Sequence, residues 1–164
     1  MAPKTIIAVV GPDTQDQKLQ DLAYDVGKAI AEAGYVLLTG GRSLGIMDYA
    51  SKGAQSAGGL TVGALPGQDE SEMSTAIDIP ILTGMGSARN NVIALSGRVV
   101  VACGIGPGTA AELSLALKAG KHVVLLHCGG DAETFFRSLT PAQVHVASTA
   151  AEMLVLIRSV LSTK

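Results

Sequence analysis

Apolar residues in this chain follow two rhythms that alternate from one end to the other. Thr5 to Val10, Tyr35 to Thr39, Thr61 to Leu65, Arg98 to Ala102 and His122 to Leu126 are short apolar runs without polar alternation. Such runs predict strands covered on both faces. Between them Leu19, Leu22, Ala23, Val26, Ile30 and Ala33 recur at helical spacing before Gly34, a helix-ending glycine. Further helices are predicted at Ile46 to Ala57, Ala88 to Leu95, Thr109 to Lys118, Glu133 to Leu139 and Thr149 to Leu161. Buried strands joined by helices of crossover length predict an α/β fold, a mostly parallel, Rossmann-like sheet with helices on both faces. At 164 residues, with no linker-like stretch, the chain reads as a single ligand-binding domain from Met1 to Lys164.

Two glycine clusters interrupt this pattern where strands end and helices begin. The first is Gly40-Gly41-Arg42-Ser43-Leu44-Gly45; the second is Gly104-Ile105-Gly106-Pro107-Gly108-Thr109-Ala110-Ala111-Glu112. A glycine turn lets backbone amides approach an anion, and the first turn of the following helix carries free N–H groups. In an open parallel sheet both turns lie at the carboxyl ends of the strands, so they are expected to line one crevice. Asp13, reached from the first strand through Gly11-Pro12, would face the same crevice. The spacing is not that of a dinucleotide fingerprint, because Thr109 stands where that motif has glycine. No Gly-Lys-Ser/Thr ending follows either, which argues against a Walker loop.

Charged residues near these turns each have two readings. Thr109 and Glu112 have the spacing of a capping box, as do Thr149 and Glu152. Glu112 is thus either a cap or a site carboxylate, or both. Arg89 begins a helix against the macrodipole, which hints at an anionic partner. Arg42 either clamps an anionic group or is solvated. Asp13, Asp16 and Asp48 read as caps and surface groups, Arg98 as structural, and His122, His127 and His145 as core or edge residues without ligand spacing. No metal site is expected. The polar segment Gly67 to Thr75 lacks periodicity and reads as a mobile loop beside the pocket.

Composition narrows the classes. A net charge of −2 without a basic cluster excludes an electrostatic footprint for nucleic acid, and 3% aromatic residues leave little for base stacking. Apolar runs are too short to span a bilayer, and a soluble, cytoplasmic protein is expected. Cys103 and Cys128 are too few for a disulfide framework and read as reduced core residues. Apolar residues encircle most of the helix from Thr109 to Lys118, which predicts a subunit contact on its outer side, or else cover by a helix of the same chain.

Three motifs together carry a resemblance. Gly40-Gly41-x-x-x-Gly45-Ile46-Met47, Arg89-Asn90 and Gly106-x-Gly108-Thr109-x-x-Glu112 resemble the lysine-decarboxylase-like or Lonely Guy superfamily, over roughly Thr5 to Leu126. The run Thr83-Gly84-Met85-Gly86-Ser87-Ala88-Arg89-Asn90 is similar to that of its molybdenum cofactor carrier branch. This resemblance implies a non-catalytic protein that binds and stores the molybdenum cofactor, molybdopterin, with its phosphate on the Gly106 to Ala110 amides and the Thr109 hydroxyl. It also implies homo-oligomers, dimeric or tetrameric, and molybdoenzymes as receivers of the cofactor. The alternative it leaves open is a nucleoside 5′-monophosphate phosphoribohydrolase using Arg89 and Glu112. Against that stand Gly104-Ile105 in place of Pro-Gly, Ala111 in place of a glutamate and Arg42 in place of a glycine.

Overall fold

The computed structural model describes residues 1–163. Every predicted apolar run forms a strand, and two strands join them that the pattern did not predict. The seven are β1 (Ile6–Val10), β2 (Val36–Thr39), β3 (Thr61–Leu65), β4 (Ile79–Leu82), β5 (Val99–Cys103), β6 (His122–Leu126) and β7 (Val144–Ala147). All neighbouring pairs are parallel, in the order β4-β3-β2-β1-β5-β6-β7. The two unpredicted strands are the edges, where one side of the ladder is free and burial no longer demands an apolar run. β4, Ile-Pro-Ile-Leu, even carries Pro80, which cannot donate to a ladder and belongs on an edge.

Among the described residues, six helices cover the sheet. They are α1 (Gln17–Glu32), α2 (Gly45–Ser56), α3 (Asn90–Ser96), α4 (Pro107–Lys118), α5 (Gly130–Leu139) and α6 (Ala150–Ser162). Alternate residues of each strand serve the two faces. Ile7, Val9, Val99 and Val101 pack with Val26, Ile30, Ile46 and Ile157 of α1, α2 and α6, while Ala8, Val10, Val100 and Ala102 pack with Ile93, Leu113, Leu117 and Phe136 of α3, α4 and α5. Helix ends follow local chemistry. Asp16 caps α1 by accepting from the Lys18 amide at 2.9 Å, and Gly34 ends it at φ +80°.

The strand order reverses between β1 and β5. Their following loops therefore diverge to opposite faces and leave a crevice at the carboxyl edge of the sheet, the place where ligands of such folds bind. Three expectations need correction here. The outer side of α4 is less apolar than its pattern implied: Leu113, Ala116 and Leu117 are buried under the chain's own residues, α3 included, which is the cover by a helix of the same chain left open above, while Ala111, Ser114 and Lys118 are exposed and Ala110 and Leu115 half-buried. The Gly67 to Thr75 segment is not a free loop. It is pinned to the turn after β2 by Ser43 N–H to Glu72 O, Ser74 N–H to Gly41 O, both 2.9 Å, and an isolated bridge between Arg42 and Met73. Asp48 is no surface group; it is buried, accepting from the Ser74 hydroxyl and the Lys52 ammonium, each at 2.6 Å.

Candidate functional site

A cavity of about 520 Å³ fills the crevice. Its floor and walls come from the end of β1, the loops that follow β1, β2, β3 and β5, the first turns of α2 and α4 and the single-turn helix Gly86–Arg89 that leads into α3. Of the residues picked out from sequence it brings together Gly11, Pro12, Gly40, Arg42, Arg89, Asn90, Gly106, Pro107, Gly108, Thr109 and Glu112, with Asp13 beside them. Gly41, Ser43, Gly45, Gly104, Ile105 and Ala110 are not part of its lining. Val9, Val10, Met47, Pro66, Gly86 and Ser87 complete it. Of these, Met47 ends the first glycine motif, Gly86 and Ser87 belong to the Thr83 to Asn90 run, and Pro66 directly precedes the Gly67 to Thr75 segment expected beside the pocket.

The two glycine turns have different jobs. In the first, the amides serve the protein: Gly41 N–H donates to Thr39 Oγ1 at 3.0 Å, Ser43 N–H to Glu72 O, and Ile46 N–H to Pro12 O at 3.3 Å. Gly40 is small for a steric reason. A Cβ there would sit 2.6 Å from Arg89 Nη1 and 2.5 Å from Met47 Sδ, so glycine lets the Arg89 guanidinium lie across the turn. In the second, α4 starts at Pro107 with Gly106 as N-cap and no side chain capping it. Pro107 has no N–H, and the Ala110 amide already bonds Gly106 O at 2.8 Å. The Gly108 and Thr109 amides, in the first turn, have no intrahelical acceptor and point along the axis past the N-terminal end of α4.

Thr109 is therefore not the cap its spacing implied. It lies in the first turn, 2% exposed, and its hydroxyl has no hydrogen-bond partner among the described residues. Thr149, with the same Thr-x-x-Glu spacing, does cap: its Oγ1 accepts from Glu152 N–H at 3.2 Å, and Glu152 Oε2 accepts from Ser148 N–H at 2.7 Å. Proline at the first helical position moved the start of α4 ahead of Thr109.

The charges share the cavity with Thr109. Arg89 and Glu112 are both buried, with Nη1 3.7 Å from Oε1, and Arg89 Nη1 also reaches Asn90 Oδ1 at 3.3 Å. Burial pushes the Glu112 carboxyl up to about 7, outweighing the pull of Arg89. Burial, with repulsion from Arg42, lowers the Arg89 guanidinium against the opposing effect of Glu112. Arg42 is half-buried and held by Glu72 Oε1 at 2.8 Å. The Nε atoms of both arginines are buried without a partner among the described residues. The remaining wall is aliphatic, from Val9, Val10, Met47 and three prolines, so a flat heterocycle would rest on methylene and methyl groups rather than on an aromatic ring.

Other candidates lie elsewhere. His122 and His145 stack at the opposite end of the sheet with Nδ1 and Nε2 2.9 Å apart, and His127 Nε2 meets Ser148 O at 3.0 Å. No group of three or more potential metal ligands exists among the described residues. Cys103 and Cys128 are buried free thiols whose pKa values burial raises, Cys128 to about 11. Among the described residues no helix is long and apolar enough to cross a membrane.

A switch-point crevice on a parallel sheet, closed by Gly-x-Gly-Thr-x-x-Glu and a buried arginine, defines a Rossmann-type small-molecule site, and residues 4–154 match the SLOG cluster4 family. The chain belongs to that family, on the branch of the molybdenum cofactor carrier proteins. It is similar to the molybdenum cofactor binding protein of Rippkaea orientalis, with 45% identity, a TM-score of 0.96, and 99% of this chain and 100% of that one covered. It is likewise similar to the molybdenum cofactor carrier protein of Chlamydomonas reinhardtii, with 53% identity, a TM-score of 0.92, and 98% and 100% covered. A protein of unassigned function from Archaeoglobus fulgidus is 43% identical over 120 residues, 73% of this chain and 78% of that protein.

Proposed function

We propose that this protein binds the molybdenum cofactor and carries it without chemically altering it. The observation that carries the reading is a convergence: Thr109 Oγ1, Arg42 Nε and Arg89 Nε, three buried polar atoms without protein partners, all belong to residues lining one cavity. Buried polar groups normally find partners, so a set of them around one space calls for a polar, anionic guest. The phosphate would sit on the Gly108 and Thr109 amides and the Thr109 hydroxyl, and the two guanidiniums would meet the other anionic groups. The cavity is of the size that holds a drug-sized molecule, roughly 300–1,000 Å³. Close likeness to two proteins described as binding or carrying this cofactor supports the choice of guest.

In this reading the protein works in the cytoplasm as a homo-oligomer and hands the cofactor to molybdoenzymes. A phosphoribohydrolase has one observation in its favour, since a carboxyl with a pKa of about 7 beside an arginine could protonate a leaving base. The two readings separate when the protein is incubated with adenosine monophosphate and, in parallel, with cofactor released from a molybdoenzyme. Retention of the pterin through gel filtration with no free adenine is the expected result. Adenine release that scales with protein and vanishes in Glu112→Ala would replace the carrier by the hydrolase.

A further inference from the structure

Glu112 does not behave as a simple counter-ion to Arg89. Its carboxyl lies on the same helical turn as the anion seat, three residues after Thr109, and its side chain is 9% exposed. Arg89 Nη1 is its one ion-pair partner among the described residues. Each cation of the cavity is already matched: Arg42 by Glu72 at 2.8 Å, Arg89 by Glu112 at 3.7 Å. An anion arriving at the α4 N-terminus must therefore share Arg89 with a carboxylate that is buried and fixed on a helix. Two negative groups on one desolvated guanidinium repel strongly, and the cheapest relief is a proton on one of them.

We propose that the site takes up its anion together with one proton, and that Glu112 is the group that receives it. The proposal rests on the reading of this cavity as an anion site. Once protonated, Glu112 offers an O–H donor to the guest and leaves Arg89 free to pair with it. The other charged groups around Glu112 fit this role. Arg89 faces it from the turn before α3, and Arg42 and Asp13 line the same cavity from the loops after β2 and β1. α3 carries no ionisable residue, the Cys103 thiol at the end of β5 is pushed far up by burial, and His122 of β6 lies at the far end of the sheet. In the free protein burial already holds Glu112 near 7, so little additional repulsion is needed.

Sulfate is the probe, because it remains a dianion between about pH 5 and about pH 9 and brings no titration of its own. Calorimetric titration in buffers of different ionisation enthalpy counts the protons taken up. The expected result is flat affinity well below pH 7, then a fall approaching about tenfold per pH unit above it, with proton uptake rising toward one per sulfate. In Glu112→Gln, whose amide imitates the protonated carboxyl, the affinity should stay flat and the uptake vanish. Wild-type affinity without pH dependence, or an unchanged slope in Glu112→Gln, would overturn the proton coupling and leave the carrier reading standing. Failure of sulfate to bind at any pH, in either protein, would overturn the anion seat and this proposal with it. The count of protons on the wild-type protein decides even if the variant folds poorly.

Discussion

Thr109 and Thr149 share a sequence pattern and differ in what they do. Thr149 caps α6, so Thr149→Ala should lower the unfolding free energy by about 1 kcal/mol, read from denaturant midpoints. Thr109 has a buried hydroxyl with no partner, a group that costs stability in the free protein. Thr109→Val, which keeps the shape, should leave ligand-free stability unchanged or raised while weakening sulfate binding. A destabilisation equal to that at Thr149 would mean that Thr109 has a structural bond after all. The sequence could not separate the pair, because the distinction lies in Pro107 fixing where α4 starts and in the crevice that only the fold assembles.

Glu112 also leaves a signature on stability. Its folded pKa is raised from 4.5 to about 7, so between those values the native state binds more protons than the unfolded chain, and stability falls as pH rises. The cost of ionising it is absent below the unfolded value and fully present above about 7. A shift of this size corresponds to a few kcal/mol at most, at about 1.4 kcal/mol per pH unit. Chemical denaturation across this range should therefore show a decline in the wild type that Glu112→Gln flattens. Parallel curves would remove Glu112 from the account.

At the scale of elements, the first glycine turn, α2 and the segment from 67 to 75 form one unit. The polar composition of that segment resembles a free loop, but its partners are distant in sequence: Ser74 reaches Asp48 across 26 residues and Glu72 reaches Arg42 across 30. Ser74→Ala would leave the buried Asp48 carboxylate with Lys52 as its remaining partner, and should increase protease nicking between 67 and 75 without unfolding the sheet. Unchanged cleavage would mean that the backbone bonds to Gly41 and Ser43 suffice. The central strands were legible because both of their faces are buried and each reads as an unbroken apolar run. β4 and β7 were not, since an edge strand is half-exposed and tolerates Pro80 or His145. Of the site, both glycine turns, Arg89 and Glu112 stood out in sequence. The allocation of amides did not, because Pro12 and Glu72 take those of the first turn only through tertiary contact.

For the whole molecule, the expected oligomer needs a surface, and the outward side of α4, with Ala111, Ser114 and Lys118 exposed and Leu115 half-buried, is only partly apolar. The exposed large apolar residues include Ile79, Ile81 and Leu82 on the β4 edge, with Leu60 and Met85 flanking β3 and β4 in the chain. An unpaired apolar edge of this kind is a natural contact for a second copy. Light scattering should give at least a dimer, and Ile81→Glu should lower the mass while leaving the circular dichroism spectrum unchanged. Leu117→Glu, at a buried position, should unfold the chain instead. A monomeric wild type would remove the oligomer from the account and leave the crevice, built from one chain, unaffected.

The central claim, that this crevice holds a molybdenum-bearing pterin, is tested most directly by purifying the protein from a host that makes the cofactor and identifying what it releases by mass spectrometry. A phosphorylated pterin is expected from the wild type, strongly depleted in a Thr109→Val and Arg89→Ala double variant that remains folded. A nucleotide in place of the pterin, or a pterin retained equally by the double variant, would contradict that claim.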